Sequence, residues 1–209
     1  MKGTREKLLQ TAAKMFAQYG INGVSTRDLV KKSGVNLCSI NYYFGSKQKL
    51  YEAVMNNVYE HIQQNFIEKI KIGAAEGSTL SPKEEIKRII GAFFDFLCSN
   101  IVSDTQAELL VREMFNPTSV YDKFYSGGFE PLHKYISGLV AALQGIAPDS
   151  EQAILQTHLL LGQALIFRIH REALFRRLQI RKYTPETLMQ IREQLQQNCE
   201  AILTAGEKR

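Results

Sequence analysis

Hydrophobic positions recur along nearly the whole chain at steps of three and four, the spacing that stacks side chains on one face of a helix. Between Thr4 and Tyr19 the apolar set is Leu8, Leu9, Ala12, Ala13, Phe16 and Tyr19, and Gly20 supplies a stop. A second helix opens at Ser25, where Asp28 three residues on completes a capping-box pattern, and closes at Gly34. Asn36 is placed to cap a third through Phe44, after which Gly45-Ser46 breaks and restarts the chain. The fourth is long: Leu50, Val54, Val58, Ile62, Phe66 and Ile70 form one stripe, expected to run to about Ile72.

Gly73 to Ser81 reads as a loop, and Ser81-Pro82 as N-cap and first-turn proline of a helix to about Val102. Helices follow at about 104–116 and 118–126, with a break at Gly127-Gly128. Three more are expected from Glu130 to about Leu143, from Pro148 to about Phe175, and from Thr184-Pro185 onward. Alternating runs, hairpin signals and internal repeats are missing from the sequence, so the fold class is all-α.

The short second and third helices have the spacing of a helix-turn-helix. Val24, Leu29 and Val30 face inward on one, Val35, Ile40 and Phe44 on the other. Asn36, Leu37, Ser39, Asn41 and Tyr42 then point outward together, a polar and aromatic face that fits a major groove. The plainer reading is an exposed hairpin in any helical bundle. Ser46-Lys47-Gln48-Lys49 favours the first: lysines at a helix start are unfavourable unless a phosphate completes the site.

Charge sharpens this picture. Residues 1–51 hold nine Lys/Arg against Glu6 and Asp28, whereas the remaining 158 carry 17 basic and 19 acidic groups. A small basic module on a mildly acidic body points to a polyanion partner for the first part only. Composition otherwise describes an ordinary globular chain of 209 residues with 44% hydrophobic content. There is no membrane-length apolar run and no signal-peptide core, which leads to the expectation of a cytoplasmic protein. Cys38, Cys98 and Cys199 are far apart, and no residue pattern has metal-ligand spacing, so neither metal nor cofactor is expected.

Thr26-Arg27-Asp28-Leu29, Ser33-Gly34-Val35 and Ile40-x-Tyr42-Tyr43-Phe44-Gly45-Ser46-Lys47 with Leu50 resemble the DNA-binding domain of the TetR family of bacterial repressors. The resemblance implies that Thr26, Ser39, Tyr43 and Lys47 hold the phosphate backbone while Asn36, Asn41 and Tyr42 lie near base edges. Arg27 and Leu37 complete the expected DNA-binding set. The sequence departs from the family at Leu37 and Cys38, where many members have Lys and Gly. A fainter resemblance, to the CecR-like branch, rests on Arg112-Glu113, Pro117-Thr118, Tyr121, Pro131-Leu132-His133, His158, Gly162 and Phe167-Arg168.

These readings divide the chain into a three-helix DNA-binding domain, 1–48, and a larger helical domain for ligand binding and dimerisation, 49–209. Polar groups set among aromatic ones nominate Phe66, Phe94, Arg112, Glu113, Tyr121, Gln163 and Phe167 as an effector site, with structural ion pairs the plainer reading. Homodimerisation is expected through 150–175, which is apolar on nearly every side, and through a last-helix seam of Leu188, Ile191, Leu195, Asn198 and Ile202. The expected function is a repressor released from a near-palindromic operator on double-stranded DNA by a small-molecule effector. Two alternatives stay open: a regulator without an effector, and an all-α enzyme carrying a basic nucleic-acid module.

Overall fold

The computed structural model describes residues 3–68, 70 and 80–207. All regular elements among the described residues are helical: α1 (Thr4–Tyr19), α2 (Thr26–Ser33), α3 (Cys38–Phe44), α4 (Lys47–Ile62), α5 (Pro82–Cys98), α6 (Asp104–Phe115), α7 (Ser119–Phe124), α8 (Glu130–Gln144), α9 (Glu151–Ile169), α10 (Arg171–Leu178) and α11 (Pro185–Glu207). Capping explains most of the starts. Ser25, Ser81 and Ser103 each accept from a backbone N–H three residues on, and Asp28, Glu84 and Gln106 return the bond.

Two expectations are corrected. Gly127-Gly128 does not break the chain: a π-helical turn, Tyr125–Phe129, carries α7 directly into α8. A second π-helical turn, Gln63–Ile67, extends α4. The helix expected from Pro148 to Phe175 begins instead after the Ser150 cap and ends at Ile169, where His170 leaves helical geometry before α10. The loop expected from Gly73 and the end of the long helix near Ile72 lie outside the described residues.

Packing divides the chain into two compact units, Met1–Gln64 with Val102–Tyr125, and Asn65–Ile101 with Ser126–Arg209. In the first, α1 packs on α2, α3, α4 and α6 around Leu8, Phe16, Leu29, Ile40, Leu50, Met55 and Leu109, all fully buried. The second is built on α5, which packs against α8, α9 and α11 and buries Ile86, Ile89, Ile90 and Phe94. The unit that holds the helix-turn-helix therefore does not stop at residue 48. Helices of seven and eight residues are marginal alone, and α4 and α6 supply the side chains that complete their core.

Candidate nucleic-acid interface and the polar centre behind it

The turn between α2 and α3 depends on Gly34, at φ 68° and ψ 29°, whose N–H donates to Val30 O. That left-handed conformation favours a residue without a Cβ. It sets α3 with Ile40 and Phe44 buried and Asn36, Leu37, Asn41, Tyr42 and Tyr43 exposed, Tyr42 at 81%. Arg27 is also exposed, and Thr26 and Ser39 are half-buried. Eight of the nine expected DNA-facing residues thus lie on α2, α3 and the turn between them. The ninth, Lys47, opens α4.

Two of them carry additional work inside the protein. Asn36 Oδ1 accepts from Cys38 N at 3.0 Å, so its amide holds the start of α3. Asn41 makes no such bond, and it is exposed. Lys47 Nζ donates to Ile21 O and Val24 O, both at 2.9 Å. The ammonium has three donors, and two of them tie down the α1–α2 loop. Ser46 Oγ accepts from Lys49 N, leaving the Lys47 and Gln48 backbone N–H groups at the start of α4.

Behind this surface, α6 reaches into the same unit through two consecutive residues. Arg112 donates from Nε to Ala17 O at 2.6 Å and from Nη2 to Gln18 O at 2.7 Å, capping the C-terminal end of α1. A Cβ on Gly20, whose φ is 71°, would lie 3.4 Å from Arg112 Nη1. Glu113 is 1% exposed and accepts from the Tyr51 hydroxyl on α4 and from the N–H and hydroxyl of Thr118 at 3.1–3.2 Å. Burial raises Tyr51 and Tyr59 above the ordinary phenol range, and the Glu113 charge adds to both. The Tyr59 hydroxyl is buried without a hydrogen-bond partner. Sequence reasoning missed Tyr51, Tyr59 and Thr118 as members of this centre. Tyr51 and Glu113 stand 62 residues apart, and no local pattern links them.

The expected effector residues consequently fall into two groups. Arg112, Glu113 and Tyr121 belong to the first unit, Phe66, Phe94, Gln163 and Phe167 to the second. In the second, Phe94 meets Phe167 edge-on with centroids 5.8 Å apart, and Phe66 stacks on Phe96 at 4.9 Å. Gln163 Nε2 donates to Cys199 Sγ, while its Oε1 is buried without a partner. Burial pushes the Cys98 and Cys199 thiols up to about 11, opposite to what a redox-sensing thiolate requires. The His133 and His158 rings lie 5.8 Å apart, a proximity their sequence spacing did not announce.

Of the expected last-helix seam, Ile191 and Leu195 are buried within the subunit, Leu188 and Ile202 are half-buried and Asn198 is exposed. Cys199 and Leu203 are buried as well, and α11 packs on α5 and α8 of its own unit. The other expected segment, 150–175, does carry an exposed apolar stripe, on α9: Ile154, Leu155, Leu159 and Ile166 are 46–62% exposed. No described helix is long and apolar enough to cross a membrane.

A model for the bacterial regulatory proteins of the tetR family matches residues 8–54. A second, for the C-terminal domain of the HTH-type transcriptional dual regulator CecR, matches residues 82–206. The chain is 30% identical to CecR of Shigella flexneri over 181 residues, 83% of this chain and 79% of that protein. Among solved structures it resembles AibR in complex with isovaleryl coenzyme A and operator DNA, at TM-score 0.63 and 14% identity, covering 93% of this chain and 96% of that one. It also resembles the ketosteroid regulator KstR2 of Mycobacterium tuberculosis, at TM-score 0.60 and 17% identity, covering 98% and 95%.

Proposed function

The chain belongs to the TetR family of transcriptional regulators, and from that premise we propose that it is a cytoplasmic homodimeric repressor released from its operator by a small molecule. The matched families and relatives are regulators, so the enzyme reading falls away. The observation that carries the proposal is the face of α3: Asn41, Tyr42 and Tyr43 stand exposed on a helix anchored by buried Ile40 and Phe44. Consecutive helical positions differ by about 100°. Tyr42 and Asn41 accordingly go to base edges, with Tyr43, Thr26, Ser39 and the third Lys47 donor going to phosphates.

Two copies must place α3 in major grooves about 34 Å apart, which calls for a near-palindromic site. The exposed stripe of α9 is the surface assigned to pairing, since monomers seldom leave contiguous apolar patches uncovered. AibR was crystallised with both an acyl-coenzyme A and operator DNA, which supports an effector for this chain by fold likeness. Sequencing fragments retained from a random DNA pool should return one near-palindrome, and titration of that site with and without metabolite extract should show release. A pool without enrichment would refute operator recognition. Release by no extract would favour the effector-independent alternative.

A further inference from the structure

The net charge of the larger domain hides one strongly basic segment. Residues 168–182 hold Arg168, Arg171, Arg176, Arg177, Arg181 and Lys182 against Glu172 alone, while the other residues of 52–209 carry 11 basic and 18 acidic groups. Arg176, Arg177, Arg181 and Lys182 are all exposed, four cations within seven residues. Glu172 offsets little of this charge, because its bond to Arg176 joins side chains 70% and 79% exposed, where water screens the pair. The segment also has a fixed path. The Tyr183 hydroxyl donates to Phe167 O at 2.6 Å, and its ring meets Phe175 edge-on with centroids 4.8 Å apart. Ile180 N donates to Phe175 O at 3.0 Å around Gln179, the one non-glycine residue of positive φ (56°) among the described residues. Such a conformation persists only where its surroundings hold it, and beyond it come Arg181 and Lys182.

We propose that the 176–182 segment is a second, sequence-independent DNA contact, made to the phosphates of duplex flanking the operator. Three of its four exposed cations are arginines, whose planar fork pairs bidentately with phosphate. A lipid surface would need a whole apolar helix face, whereas Phe175 packs on Tyr183 and Leu178 is the large apolar side chain of α10 left exposed. Five residues, 99–103, join α5 to α6, the helix packed on α1. DNA held by α3 is thereby tethered to α10 through folded chain, which raises its effective concentration there. The proposal rests on the operator reading: α3 selects the site, and the arginines add salt-sensitive affinity without reading bases.

The full-length protein is titrated on two duplexes, one of about two helical turns holding only the near-palindrome and one of about six turns with mixed flanks. The fourfold variant Arg176→Gln, Arg177→Gln, Arg181→Gln and Lys182→Gln should bind the long duplex at least about ten-fold more weakly than wild type, with a salt slope lower by about two counterions or more. On the short duplex the two proteins should bind alike. Arg176→Lys, Arg177→Lys and Arg181→Lys together keep the charge and should keep the slope. If the fourfold variant melts early, Arg181→Gln with Lys182→Gln, which lie outside any helix, decides through a slope lower by about one. Equal affinities on the long duplex, or the same loss on both duplexes, overturns the flanking contact. Vesicles of phosphatidylserine that retain wild type but not the variant, with the duplex titrations equal, would give the segment to a lipid surface instead. A wild type that prefers no DNA sequence refutes the operator reading, while weaker binding of the variant to a random long duplex still upholds the phosphate contact.

Discussion

The unit that carries the helix-turn-helix adds side chains reaching for backbone to its apolar core, whereas the other is held chiefly by apolar helix faces. Lys47 grips two loop carbonyls, Arg112 grips two more at the end of α1, and Ser25 with Asp28 caps α2. In the second unit α5, α8, α9 and α11 interlock through isoleucines, leucines and phenylalanines, and the ion pairs Lys87–Glu200 and Arg192–Asp95 lie toward the surface. The difference follows from size and task. Short helices that must leave one face clear for DNA bury too little to hold themselves, and directional bonds make up the shortfall.

The sharpest way to break this comparison is to put a charge into each kind of surface. Leu195→Glu would bury a carboxylate at a position 2% exposed and should cost about 4 kcal/mol or more, collapsing the second unit in a thermal melt. Leu159→Glu, at a position 62% exposed, should leave the subunit folded and give a monomer in the ultracentrifuge. Equal melting losses would mean that α9 is not the pairing face.

Lys47→Ala tests the directional bonds of the first unit. It should lose roughly 1.5 kcal/mol of stability as two charge-assisted bonds vanish. It should also weaken all DNA sequences alike and lower the salt slope by about one counterion. A melt unchanged from wild type would show that the carbonyl contacts are dispensable. Tyr42→Ala should leave the melt untouched but cut the ratio of specific to nonspecific binding by about ten-fold, or about 1.4 kcal/mol. An unaltered ratio would take Tyr42 off the bases.

The smallest effect concerns pH. Burial, with the neighbouring His158, holds His133 below its ordinary value of 6.5, and its buried Nε2 has no partner. Its neutral form is the folded one, so the associated stability is fully present above about 6.5 and declines as pH falls below it. Melts of wild type between pH 7.5 and 5 should slope downward, and His133→Gln should flatten part of that slope. Parallel curves for the two proteins would take His133 off the slope; Glu85, which Arg88 holds below the usual range, should cost stability only as pH falls below about 4.5.

Local grammar determined much of this protein. Helical period, serine caps and the Gly34 turn are interactions between residues within a few positions of each other, so α1, α2, α3 and the starts of α4 and α5 could be read directly. The outward face of α3 was legible for the same reason, because the period of a helix decides which positions face away from its buried ones. What α4, α6 and α7 do together was not legible. Sequence composition nominated Arg112 and Glu113 as polar groups among aromatics, but that one caps α1 and the other bonds Tyr51 is a fact of packing alone. Leu195 and Leu159 both read as apolar helical positions, since period distinguishes a buried face without saying what buries it. Whether an apolar stripe meets its own chain or is left for another is settled by the placement of helices far apart in sequence, and that placement is a property of the fold.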